Sequence, residues 1–319
     1  MSDPQTAAAA AAPDAAALRA LLARSDRAGV LRAATHLGTA AVLGGAIAWL
    51  HARDGWGALL ALLMIAQGYV VAFLFTALHE CAHKTAFRTL ALNYAVGYLA
   101  GLAIAMPYEY YRLYHWDHHR YTQDPQRDPE LVMSTMPRSD AALALMFTGQ
   151  VQLAQRIAAL LRRAWTGLAA APWIPADRQA AVVRESRAYV AAYGLLLALS
   201  VGLQSAVLLW AWVLPLFIGQ CFLRPYLLSE HTGCGRDRSA YDNTRTTHTN
   251  ALVRWFAWNM PYHVEHHAYP SVPFHALPRL HALVGARATH QGRGYPSVTR
   301  TVWRWFARQR GAAPLKPEP

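Results

Sequence analysis

Eight of the fifteen histidines fall in three short stretches: His79 and His83 in HECAH, His115, His118 and His119 in HWDHH, and His263, His266 and His267 in HVEHH. Spacings of three and four residues put the imidazoles of each stretch on one face of a helix. Imidazole binds iron, zinc, copper and nickel. Eight such ligands exceed the needs of one tetrahedral zinc, so the pattern predicts a site for two metal ions shared by three distant segments. Pro261 and Pro270 bracket the last stretch as a short helix.

To share metals, the three stretches must lie on the same side of whatever carries them. The carrier reads as a membrane domain: the chain of 319 residues is 54% hydrophobic and only 15% charged, well under the roughly 25% of soluble domains. Its formal net charge of +12 is nearly all arginine, since Lys84 and Lys316 are the only lysines. Such a balance suits anionic lipid or an acidic protein partner. Nucleic acid is set aside, because the arginines flank apolar runs and form no nucleic-acid motif. Cys81, Cys221 and Cys234 form no CxxC pair and read as reduced thiols, with Cys81 a packing residue rather than a ligand.

Apolar runs from Val30 to Leu50 and from Trp56 to Leu78 are each long enough to cross the bilayer and form a hairpin. The second run leads straight into HECAH. Leu90 to Met106, interrupted by Asn93, Gly97 and Gly101, must turn back to the side it left, or HWDHH would lie across the membrane from HECAH. Ala188 to Leu228 supplies a second hairpin of two spans. Between them, the arginine-bearing region Ser139 to Arg187 reads as an amphipathic segment on the membrane surface. Arginines concentrate in the long loop and the tail, so by the positive-inside rule the histidine stretches face the cytoplasm, in bacterial terms that of the inner membrane. The expected fold is all-α, with about four transmembrane helices and a cytoplasmic helical cap carrying the metals. Residues 1–29 are expected as an Ala-rich tail with a short helix and no cleaved signal peptide, 30–310 as one membrane domain, and 311–319 as a disordered tail.

HECAH, HWDHH and HVEHH, in this order and on this hydropathy pattern, resemble the three histidine boxes of the membrane fatty-acid desaturase superfamily, from about Leu74 to His281. The resemblance implies a non-haem di-iron centre held by the eight box histidines and by a further histidine ahead of the last box. His231 lies 32 residues ahead of His263 and directly follows the fourth span; His248, at 15 residues, is the alternative and otherwise a group beside the metals or the substrate. Two iron ions on neutral nitrogen ligands can use O2 to remove hydrogen from an unactivated C–H bond. Glu80, Asp117 and Glu265 are expected to accept N–H bonds from ligand imidazoles and fix their tautomers. Asp124, Asp128 and Glu130 are expected to support the arginines of their own loop.

The implied reaction is desaturation of a fatty-acid or acyl-lipid substrate. Hydroxylation or ketolation of a lipid or carotenoid is the alternative. The stretches TQDPQRDPEL and SEHTGC resemble those of a bacterial branch that includes an enzyme acting on an amino-acid-like metabolite, so a small polar substrate is another. The chain carries no haem attachment motif, no cysteine cluster and no nucleotide fingerprint. Electrons are therefore expected from a ferredoxin or similar acidic carrier. A membrane zinc peptidase built on HECAH with Glu80 as base is the rival from another class; it leaves six box histidines unexplained. The other histidines read as bland: His36 and His51 as interfacial groups, His275, His281 and His290 as surface residues.

Overall fold

A computed structural model describes residues 13–54, 57–167 and 171–311. The tail expected over residues 1–12, the start of the second apolar run at Trp56 and the chain beyond residue 311 lie outside the described residues. The first short helix, α1 (Ala15–Leu21), is capped by Asp14, whose carboxylate accepts from the amides of Ala16 and Ala17.

Helix α2 (Asp26–Asp54) is followed by α3 (Ala58–Ala72) and α4 (Leu74–Ala82), which together make one continuous apolar rod. The return end of this hairpin carries His79 and His83. His36 is buried rather than interfacial: its Nε2 lies 2.8 Å from the carbonyl of Val70, and the indole N–H of Trp258 donates to its Nδ1 at 3.1 Å. One imidazole thus ties α2 to α3 and to the loop before the last box.

Helix α5 (Leu90–Ala103) stops short of a full span, and the chain turns by 98° into α6 (Tyr108–Tyr121). Glycine makes the fold-back sterically possible. A Cβ on Gly97 would lie 2.5 Å from the ring of Tyr108, and one on Gly101 would lie 2.4 Å from the carbonyl of Met106. Asn93 closes the loop before α5, accepting from the amide of Phe87 and donating to the carbonyls of Phe87 and Thr89. Pro107 offers the start of α6 no side-chain cap, but Glu185 does, accepting from the amides of Glu109 and Tyr110 at 2.7 and 3.2 Å.

After the short α7 (Pro129–Val132), α8 (Asp140–Thr148) and α9 (Gln150–Thr166) pack beside the bundle. Three arginines here act as struts, while Arg162 and Arg184 stay exposed. Arg163 is buried and stacks 3.9 Å over Tyr110, Arg178 pairs with Glu109, and Arg187 donates to the carbonyl of Ala164. Helix α10 (Ala176–Gly202) is charged in its first half, while its second half turns Leu195, Leu197, Leu199 and Val201 outward.

Among the described residues, three helices qualify as spans by length and composition, Asp26–Arg53, Ala58–Ala82 and Leu209–His231. The apolar half of α10 is shorter, yet it also connects the two ends of the bundle. Glu185, in the charged first half of the helix, caps α6, and Trp210, eight residues past its end, packs 4.4 Å from His51 at the far end of α2.

The last span opens with a π-helical turn, Leu209–Val213, and continues as α11 (Leu214–His231). Pro215 has no N–H to offer the carbonyl of Ala211, four residues earlier. That carbonyl instead accepts from Gln67 Nε2 at 2.9 Å. Helices α3 and α11 meet backbone to backbone, since a Cβ on Gly219 would lie 2.1 Å from the carbonyl oxygen of Gly68. Small residues at such a crossing are how membrane helices gain close packing.

Beyond α11, α12 (Ala240–Asn243) leads into β1 (Arg245–His248), then α13 (Ala251–Phe256), α14 (His263–Ala268), α15 (Leu277–Val284), β2 (His290–Arg293) and α16 (Tyr295–Gly311). The two strands pair in parallel, Arg245 opposite His290, an addition to the expected all-α fold. Their role is local. Thr246 donates to Glu265 at 2.6 Å and accepts from the amide of Val264 at 3.2 Å, which braces the six-residue helix α14.

Candidate metal centre

Four elements converge on one interior point: α4 and the residue after it bring His79 and His83, α6 brings His115, His118 and His119, α11 ends in His231, and α14 brings His263, His266 and His267. His79 and His115, on either side of the fold-back, stand with ring centroids 4.2 Å apart. The turn between α5 and α6 therefore returns the chain to the side of HECAH.

The imidazoles form two groups. In the first, His79, His83, His115, His119 and His266 offer ligand nitrogens within 4.8 Å of one another; in the second, His118, His231 and His267 do the same. Within the first group Nε2 atoms lie 2.8 Å apart for His79 and His266, 2.8 Å for His83 and His115, 3.0 Å for His115 and His119, and 3.1 Å for His119 and His266. In the second, His231 Nε2 lies 3.2 Å from that of His118 and 3.1 Å from that of His263. His263 also stands between the groups, its ring 6.2 Å from His79 and 4.6 Å from His267. Two nitrogens held about 2.1 Å from one ion at right angles lie about 3 Å apart. The spacing fits neutral donors converging on common ions.

The outer nitrogens support this reading. His231 Nδ1 donates to the carbonyl of Asn243 at 3.1 Å, leaving Nε2 with its lone pair directed inward. The hydroxyl of Tyr111 lies 3.2 Å from His79 Nδ1. Nε2 of His267 is buried and has no hydrogen-bond partner in the protein. Burial, reinforced by the neighbouring imidazoles, holds His263, His266 and His267 well below the ordinary histidine pKa, so they are neutral and able to bind a cation. His118 differs. Burial lowers it, but the carboxylates of Glu130 and Asp128 outweigh that and lift it to about 9 in the metal-free protein.

The acids expected to orient the histidines are only partly so placed. Asp117 sits beside, not on, the histidine face of α6, and its carboxylate pairs with Arg120 at 3.5 Å. The buried Glu80 accepts from the amide of Phe274 at 2.9 Å, away from the imidazole nitrogens. Glu265 accepts from Thr246 and lies 2.5 Å from Nδ1 of His281, so it braces α14 and draws in a histidine read as a surface residue.

The acid that does meet a box histidine at close range is Asp128, read from sequence as a partner for loop arginines. It is 1% exposed, and its Oδ1 lies 2.9 Å from His118 Nδ1. Glu230 lies 3.4 Å from His263 Nδ1. Both were legible as acids close in sequence to a candidate ligand, but only the fold shows which way they point. His248 stays outside the cluster, its Nε2 2.9 Å from Gln291 Oε1 on the neighbouring strand.

This is the class of site that a helical membrane scaffold with histidine-only ligation defines: a buried cluster able to hold more than one metal ion. The sequence matches the fatty acid desaturase family over residues 54–299, more than half its length, and the chain belongs to that family. It is accordingly a membrane oxidoreductase. Among curated proteins, none matches the chain by sequence.

Proposed function

We propose that the chain is an O2-dependent di-iron desaturase of acyl lipids. The observation that carries the proposal is the partition of eight buried or half-buried histidines into two adjacent groups with nitrogen spacings near 3 Å, with His263 between them. In this reading His79, His83, His115, His119 and His266 would hold one iron, His118, His231 and His267 would hold the other, and His263 stands between the two groups. Iron here would supply the power to activate O2 against an aliphatic C–H bond. Two such bonds on adjacent carbons, O2, two electrons and two protons give the alkene and two waters.

The chain's own residues do the holding. The carbonyl of Asn243 and the carboxylate of Asp128 fix the rings of His231 and His118 with Nε2 inward. Glu265 and Thr246 keep α14, and so three ligands, in register with α6. An acyl chain would come from the bilayer that holds the apolar helices, and the site end faces the cytoplasm of a bacterial inner membrane, where an acidic electron carrier docks. The membrane domain spans 30–310 in this account.

Expression with a suitable electron donor, followed by mass comparison of lipids and polar metabolites, tests the reaction. Loss of two mass units in an acyl lipid supports desaturation. A gain of sixteen would instead make the enzyme a hydroxylase, and a change confined to a polar metabolite would overturn the lipid assignment.

A further inference from the structure

The histidine cluster is largely buried, with His119 and His267 half-buried at its edge. Among the described ring contacts, its members touch three aromatic side chains outside the cluster, Phe75, Tyr111 and Trp116. Phe75 and Tyr111 are buried, at 7% and 2% exposure, whereas Trp116 is 43% exposed. Its indole packs 5.4 Å from the imidazole of His83, so this side chain joins a buried candidate ligand to the surface.

The surroundings of that indole are basic. Arg112 and Arg120 precede and follow Trp116 by one helical turn and share its side of α6. Arg120 has a side chain 68% exposed. Arg127, also exposed, stacks with Arg120 on Tyr121, at 4.8 and 5.9 Å from the ring. Lys84 directly follows His83. Of the acids nearby, Glu109 is matched by Arg112 and Arg178 and Asp117 by Arg120, while Asp124 accepts from the amides of Gln126 and Arg127. The surplus is positive.

We infer that Trp116 is the port through which electrons reach the metal centre, and that the exposed basic pair Arg120 and Arg127 beside it docks an acidic one-electron carrier over it. The inference rests on the di-iron reading and gives it a location. Each encounter oxidises one reduced carrier and passes one electron inward across the Trp116–His83 contact. Two encounters supply the pair that O2 reduction consumes, and no bond in the protein is made or broken. A carrier held by charge associates faster at low salt.

The test uses full-length, iron-loaded protein in detergent, with a reduced plant-type [2Fe–2S] ferredoxin as the probe carrier and dithionite as a small reductant, followed by stopped-flow. Trp116→Ala should slow ferredoxin-driven reduction about tenfold or more, while iron content and dithionite-driven reduction hold. Trp116→Phe, which keeps a ring against His83, should recover part of the rate. Arg120→Glu should weaken the low-salt advantage. Wild-type ferredoxin rates in Trp116→Ala would overturn the port, and failure of ferredoxin to reduce a protein that dithionite reduces would overturn the acidic carrier. A wild-type protein that takes up no iron would instead overturn the di-iron reading itself.

Discussion

Nδ1 of His118 and Oδ1 of Asp128 lie 2.9 Å apart, both side chains 2% exposed, across the turn that ends α6. The carboxylate also accepts from the amides of Gln123 and Glu130, so its position is set by the backbone of the same loop. Removing it should free the imidazole to rotate. Asp128→Ala is expected to weaken metal binding by about 10–100-fold, read as metal retained per chain against a graded chelator. Retention equal to wild type would show that the ring is held by packing alone.

The two histidines ahead of the last box should separate cleanly. His231→Ala removes a nitrogen about 3 Å from two others and should cost metal, whereas His248→Ala breaks only its link to Gln291 and should leave metal content unchanged. Metal analysis of both variants decides the matter. Loss in His248→Ala with retention in His231→Ala would reverse the assignment.

Gly219 is the point where α11 leans on α3. A Cβ there meets the carbonyl oxygen of Gly68 at 2.1 Å and the Cβ of Ala72 at 2.7 Å. Gly219→Val must push the helices apart, at an expected cost of roughly 1–3 kcal/mol. Because α11 ends in His231 and the rod of α3 and α4 ends in the first box, the same shift should lower metal content along with thermal stability. A variant less stable yet fully metal-loaded would mean that the centre tolerates the displacement.

The histidine spacing made the site legible because helical periodicity alone turns each box into one face, and the need for a shared side forced the return of Leu90 to Met106. The supporting contacts were hidden for a physical reason: hydrogen-bond direction is not encoded in spacing. Asp117 lies inside a box yet turns to Arg120, while Asp128 lies outside it and reaches His118. His36 read as interfacial because a lone histidine near the start of a span resembles a snorkelling group; its burial depends on Val70 and Trp258, far away in sequence. The charged first half of α10 concealed how far that helix extends, since Ala176 to Arg187 is helical but not apolar.

The central claim is that two histidine groups hold two irons, and counting metals on purified protein tests it most directly. The account predicts about two irons per chain in the wild type and a loss of about one each in His266→Ala and His118→Ala, which disable different groups. A single zinc in the wild type, or full iron in both variants, would contradict it.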